Sequence, residues 1–160
     1  MSSDNRSSQD HASAEPTGVT IRQLDTVDIG DVVRIDEQIT GQYRPDIWET
    51  RCGYYLRRDP EAAQVAVVDG QVVGFMLGEV RSGEFGLEEP TGWIEVLGVD
   101  PEFRGRAVGR RLAEAILAHF RASGATTVRT LVDEDMAGIA SFFGSLGFEP
   151  STLRPYALSL

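Results

Sequence analysis

Between Trp93 and Gly124 the chain has few ways to fold. A short apolar stretch, Trp93 to Val99, reads as a strand and stops at Asp100-Pro101. The run Glu102-Phe103-Arg104-Gly105-Arg106-Ala107-Val108-Gly109-Arg110-Arg111 follows, and a helix begins inside it. That helix, Ala107 to Ser123, carries Leu112, Ile116, Leu117 and Phe120 on one face and stops at Gly124. A strand that feeds a tight turn and then a helix presents several backbone N–H groups at a helix N-terminus, where the dipole favours an anion. Gly105, Ala107 and Gly109 are small enough to let a ligand approach the backbone. Arg104, Arg106, Arg110 and Arg111 concentrate positive charge there, in a chain whose formal net charge is −10. A phosphate-bearing ligand accounts for this local reversal of sign. A glycine-bearing turn with surface arginines is the plainer alternative.

With 160 residues, 41% hydrophobic and 25% charged, the chain is long enough for one domain with a sizeable core. Met1 to Thr17 is rich in Ser, Asp, Ala and Gln and poor in large apolar residues, so a disordered tail is expected, followed by a single domain over 18–160. The acidic balance argues against non-specific nucleic-acid binding. It leans toward a cationic partner such as an amine, or else describes only a soluble surface. All basic residues are arginine. The single Cys52 excludes an intramolecular disulfide, and no Cys/His spacing resembles a metal site. No apolar run approaches the ~18 residues of a membrane span, and no hydrophobic signal region opens the chain. The cytoplasm is the default location.

The rest of the chain supplies a framework for that turn. Gly18 to Leu24 alternates as a strand, and Thr26 to Ile39 and Pro45 to Arg58 read as helices. Gln64 to Val68, the turn Asp69-Gly70 and Gln71 to Val80 form a hairpin. Ser82 to Gly92 reads as a loop, Thr126 to Val132 as a strand, and Met136 to Leu146 as a helix ending at Gly147. Phe148 to Leu160 is expected to hold one or two short closing strands. The order β-α-α-β-β-β-α-β-α-β predicts an α/β fold in three α-β-α layers: a mixed, mostly antiparallel sheet with helices on both faces.

Arg104-Gly105-Arg106-Ala107-Val108-Gly109, together with Phe142-Phe143-Gly144-Ser145-Leu146-Gly147-Phe148, resembles the GNAT superfamily of acetyl-CoA-dependent N-acetyltransferases. The first segment fits the family pattern Arg/Gln-x-x-Gly/Ala-x-Gly/Ala, with Ala107 where glycine is usual. The element order agrees from Val19 onward. The resemblance implies transfer of the acetyl group of acetyl-CoA to a primary amine by direct attack, without a metal. The acceptor is left open between a protein N-terminus, a lysine and a small amine. It also implies that Arg104, Gly105, Arg106, Ala107, Val108, Gly109 and Arg110 hold the coenzyme pyrophosphate. The backbone of Leu97 and Val99 would then pair with its pantetheine arm, where the strand splays at a bulge expected near Gly98.

Glu95 is the candidate general base: a carboxylate flanked by Ile94, Val96 and Leu97, expected to be buried and to share a face with Leu97 and Val99. Glu79 is the second choice, and a solvated or ion-paired Glu95 is the alternative. Tyr43, Arg44 and Trp48 lie in the segment that walls the acceptor site in this family. The family's usual tyrosine acid is Phe143 here, and Met136 stands where an asparagine is common. Another tyrosine (Tyr43, Tyr54, Tyr55 or Tyr156) or water would then protonate the leaving thiolate. Those departures keep open an acyl-CoA-binding module without turnover, and beyond it a protein-interaction module or a homodimer formed through Tyr156, Ala157, Leu158 and Leu160.

Overall fold

The computed structural model describes residues 18–83, 86 and 89–160; the expected tail, Met1 to Thr17, lies outside them. Five strands form one sheet: β1 (Val19–Gln23), β2 (Ala63–Val68), β3 (Gln71–Arg81), β4 (Thr91–Val99) and β5 (Thr127–Thr130). They are ordered as they occur in the chain, antiparallel except for the parallel pair β4–β5. The helices are α1 (Ile29–Thr40), α2 (Pro45–Arg58), α3 (Val108–Ala122) and α4 (Ala137–Ser145).

Each helix lies where its apolar stripe meets the sheet. Val32, Val33 and Ile35 of α1 and Trp48, Cys52 and Tyr55 of α2 are buried with Val65, Val72, Phe75 and Leu77 on one face. Val108, Leu112, Ala113, Ile116 and Phe120 of α3, with Phe143 of α4, are buried with Ala66, Val73, Met76 and Ile94 on the other. Alternation along β3 sends Phe75 and Leu77 to the first core and Met76 to the second. The three-layer α/β arrangement follows.

Local chemistry sets the boundaries. Asp25 and Asp28 form a capping box over a 3-10 turn, Thr26–Asp28, so the first helix proper starts at Ile29 rather than Thr26. Asp69 and Gly70 both have positive φ (49° and 78°), the paired left-handed geometry of a tight hairpin turn. The second strand of that hairpin extends to Arg81, and β4 begins at Thr91, so Gly92 belongs to a strand, not a loop. A Cβ on Gly92 would lie 2.4 Å from the Phe120 ring, which explains glycine inside a buried strand. The expected strand over Thr126–Val132 shortens to Thr127–Thr130. The closing strands expected over Phe148–Leu160 do not form. Only Phe148 of that stretch packs on the core, and residues 149–160 are exposed, so little burial is available to organise a strand there.

Candidate functional site

The strand β4 carries a bulge, and it decides where the candidate base sits. Val96 pairs with Leu77 and Ile94 with Gly78, leaving Glu95 as the extra residue without a partner on β3. Gly78 permits this, because a Cβ there would lie 2.1 Å from the Trp93 carbonyl oxygen. The bulge is therefore at Glu95 and not near Gly98. Gly98 pairs regularly with Phe75 and is small because the Phe75 ring occupies the space of its missing side chain. The extra residue also breaks the expected phase. Leu97 and Val99 pack against the α3-side core, whereas Glu95 reaches Tyr55 of α2 on the opposite face.

Glu95 is exposed at the residue level rather than buried. Its Oε2 accepts a short hydrogen bond from the Tyr55 hydroxyl, and its Oε1 forms an ion pair with Nη2 of Arg81. Burial and the hydrogen bond to Glu95 push the Tyr55 phenol well above its ordinary range, so it stays a donor. The buried carboxylate is Glu79, 1% exposed. Tyr54 donates to both its oxygens (3.0 Å), Arg58 Nε to one (3.2 Å) and Arg81 Nε to the other (2.5 Å). The hydrogen bond to Glu79 raises the Tyr54 phenol in turn.

Beyond Ile94 the parallel ladder between β4 and β5 ends. Thr130 closes it by donating from its hydroxyl to the Ile94 carbonyl (2.8 Å). The β5-facing edge of β4 over residues 95–99 has no strand partner among the described residues. It leads directly into the arginine-rich turn. The Asp100 side chain accepts from Glu102 N (3.0 Å), and Arg34 of α1 donates to Asp100 Oδ2 (3.0 Å) and to the Val72 carbonyl (2.7 Å). Gly105 (φ 80°) and Ala107 (φ 59°) are left-handed, and α3 starts with no side-chain cap. The first N–H groups of α3 are thus left for a ligand. Val108 is buried beside Gly74 and anchors the helix start, while Gly109 lies against Phe142. Arg104, Arg106 and Arg110 are exposed, and neither they nor Arg111 forms an ion pair among the described residues. Arg106 stacks over Phe103 (5.1 Å), and Arg110 donates to the Ser145 carbonyl (3.2 Å).

The other singled-out residues separate cleanly. Arg44 is held by Asp36 of α1 through two hydrogen bonds (2.9 and 2.6 Å), so its charge is already matched. Trp48 is core, edge-on to Phe75. Tyr43 is exposed, and Tyr156 is exposed on the C-terminal segment. Phe143 is buried between Phe142 and Phe148 (ring centroids 5.2 and 5.1 Å). Met136 is half exposed just before α4. Arg81, and the clamp it forms between two carboxylates, was not foreseen from sequence. The signal was available in the alternation Glu79-x-Arg81 on a strand that pairs with the one bearing Glu95. No group of three or more metal-ligating side chains, and no helix long and apolar enough to cross a membrane, occurs among the described residues.

Residues 31–148 match the model of the acetyltransferase (GNAT) family. Mycothiol acetyltransferase of Thermobispora bispora is 40% identical over 90 residues, 56% of this chain and 30% of that protein. The protein of the same name from Kytococcus sedentarius is 34% identical over 113 residues, 71% and 34% of the two chains. The chain thus spans about a third of the length of the curated relatives it matches. Among solved structures, Ard1 from Thermoplasma volcanium superposes with a TM-score of 0.72 at 29% identity, covering 84% of this chain and 85% of that one. The aminoglycoside N-acetyltransferase AAC(6')-Iy in complex with CoA superposes with a TM-score of 0.76 at 21% identity, over 88% and 94%, a likeness of fold.

Proposed function

The chain belongs to the GNAT acetyltransferase family, and on that premise we propose that it transfers the acetyl group of acetyl-CoA to a primary amine. The observation that carries this reading is that an unpaired stretch of β4 edge runs in sequence into a turn whose helix, α3, starts with no side-chain cap. The residues fit the coenzyme: backbone N–H groups of α3, the left-handed Gly105 and Ala107, and the arginines Arg104, Arg106 and Arg110 suit a pyrophosphate. The open edge at Leu97 and Val99 suits an amide-bearing arm. The coenzyme supplies the acetyl group as a thioester.

Amine chemistry demands a base. An ammonium of pKa ~10.4 must lose its proton to attack, which at pH 7 costs about 4.6 kcal/mol. Glu95 sits at the bulge in β4, next to the point where the β5 ladder ends, partly open to solvent and within reach of water. It is the carboxylate placed to take that proton, directly or through water. The oxygens of Glu79 are already engaged by Tyr54, Arg58 and Arg81. Phe143 has no proton to give, so another tyrosine or water protonates the leaving thiolate, and a thiol of pKa ~8.5 tolerates water in that role.

The relatives named mycothiol acetyltransferase support a small-molecule acceptor. The test is acetyl-CoA-dependent thiol release from neutral to mildly alkaline pH with sugar amines, polyamines, amino acids, aminoglycosides and peptides. Turnover with one acceptor class is expected. Replacing Arg104 and Arg106 should weaken coenzyme binding by roughly 1.5–3 kcal/mol for each charge-assisted bond lost; unchanged affinity would remove them from the site. Phe143 in the core favours a second reading, an acyl-CoA-binding module, which coenzyme binding without thiol release across the panel would support.

A further inference from the structure

We infer that Arg81 is a positioning residue for this transfer: it holds the Glu95 carboxylate in one orientation beside a fixed positive charge, and the buried Glu79 anchors it there. The inference rests on Glu95 acting as the base.

The need for such a residue follows from the bulge. A residue inside a regular ladder inherits its side-chain direction from pairing on both sides. Glu95 has a partner on neither β3 nor β5. Its direction is set by two side-chain contacts, Oε2 with the Tyr55 hydroxyl and Oε1 with Arg81 Nη2. Each carboxylate oxygen has its own donor, on a different element.

Arg81 is itself over-determined. Its guanidinium presents Nε to Glu79 Oε1 (2.5 Å) and Nη2 to Glu95, so one planar group spans the two carboxylates. Its guanidinium carbon lies 5.4 Å from the centre of the Trp93 ring, which restricts the plane of the fork. Glu79 cannot swing away, because it is buried and also held by Tyr54 and Arg58. A flexible strand-end arginine becomes a rigid strut between a buried carboxylate and a solvent-facing one. Lysine could keep the charge but not the planar fork.

Among the described residues, the charged and titratable groups around Glu95 are Arg81 and Glu79 from β3, and Tyr54, Tyr55, Arg51 and Arg58 from α2, with Arg51 acting through its charge on Tyr55. Removing Arg81 leaves Tyr55 as the remaining side-chain partner of Glu95 among the described residues and shifts the local balance toward negative. A carboxylate that loses a neighbouring cation holds its proton more firmly.

The experiment compares the full chain with Arg81→Gln, Arg81→Lys and Glu95→Gln in steady-state acetyl transfer across pH, using the best acceptor of the panel. Arg81→Gln is expected to lower kcat by about ten- to a hundredfold through misplacement of the base. Its KM for the amine should not rise, since a cation near the acceptor has gone. The acid limb of its pH–rate profile should lie at higher pH. Arg81→Lys should restore the position of that limb while recovering only part of kcat. A purely structural role would lower the amount of folded enzyme and leave the limb where it was. An Arg81→Gln enzyme with wild-type kcat and limb overturns the inference. Should Arg81→Gln fail to fold, Arg81→Lys carries the test, and wild-type kcat in that variant overturns it equally. Glu95→Gln separates the two levels. If it retains the acid limb, the base assignment and the inference fall together; if it loses the limb while Arg81→Gln leaves it unmoved, only the inference falls.

Discussion

Ala107 occupies a conformation that most side chains avoid. At φ 59° and ψ 20° it is left-handed, a region that costs an L-residue roughly 1–2 kcal/mol. Gly105, two residues earlier, takes the same region freely. The two left-handed residues turn the chain from Asp100 into α3, so the backbone cost is spent at the turn proposed to hold the coenzyme. Replacing Ala107 with Gly removes the Cβ cost but adds roughly 0.5–1 kcal/mol of chain entropy lost on folding. A net stabilisation of about 0.5–1 kcal/mol is expected, read by urea denaturation, with coenzyme binding intact. A destabilised Ala107→Gly would show that the native conformation there is not left-handed. At this scale the sequence was informative where chemistry is local. The tight turn before α3 was legible because it is written in adjacent residues, Asp100-Pro101 and Gly105 among them. Arg81 was not, because its role depends on Glu79 and Glu95 meeting across two strands.

Among the elements, α1 and α2 are joined by charge as well as by packing. Arg44, at the start of α2, makes two hydrogen bonds to Asp36 of α1, and they hold the Asp36 carboxyl below the ordinary aspartate range. Arg22 of β1 does the same for Asp28, whose carboxylate also accepts the Asp25 N–H. Both groups are more acidic folded than unfolded, so the unfolded chain binds more protons in this window and stability rises with pH there. The contribution is complete above the unfolded aspartate value near ~3.9 and is lost as pH falls through it toward the lower folded value. In thermal melts from pH 6 to pH 2, Asp36→Asn should start less stable and lose less stability below pH 4 than the wild type. Parallel curves would mean that the clasp is not formed. The helices themselves were readable from their stripes and caps, Asp25 and Pro45 among them. The bulge was expected in the run Trp93 to Val99 but near Gly98, because a glycine in a strand marks a bulge or a close approach and here it is the latter, to Phe75. Only the steric demand opposite it, Gly78 against the Trp93 carbonyl, says where the extra residue falls.

At the scale of the whole molecule, one sheet separates two cores, and the candidate site takes from both faces. Glu95 and its clamp lie on the α2 side, while Leu97, Val99 and the start of α3 belong to the other core. The order of elements was legible because two-residue and helical periodicities name the layers. The C-terminal stretch was not, because Tyr156, Leu158 and Leu160 alternate as a strand would yet bury nothing. Tyr156 is 95% and Leu158 84% exposed. A strand needs a partner edge and a face to cover, and this segment pairs with no edge and covers no face among the described residues. Ser151 accepts a hydrogen bond from Arg129 (2.9 Å), the last tie to the sheet among the described residues. The stability stored beyond it should be small, because stability scales with the apolar area removed from water. Deleting Pro155 to Leu160 is therefore expected to change unfolding free energy by less than about 0.5 kcal/mol, the range of surface changes that touch no core. Calorimetry of the truncated chain checks it. A loss several times larger would mean that Tyr156, Leu158 and Leu160 cover an apolar face in solution, with the free edge of β5 as the place to look for the strand they form.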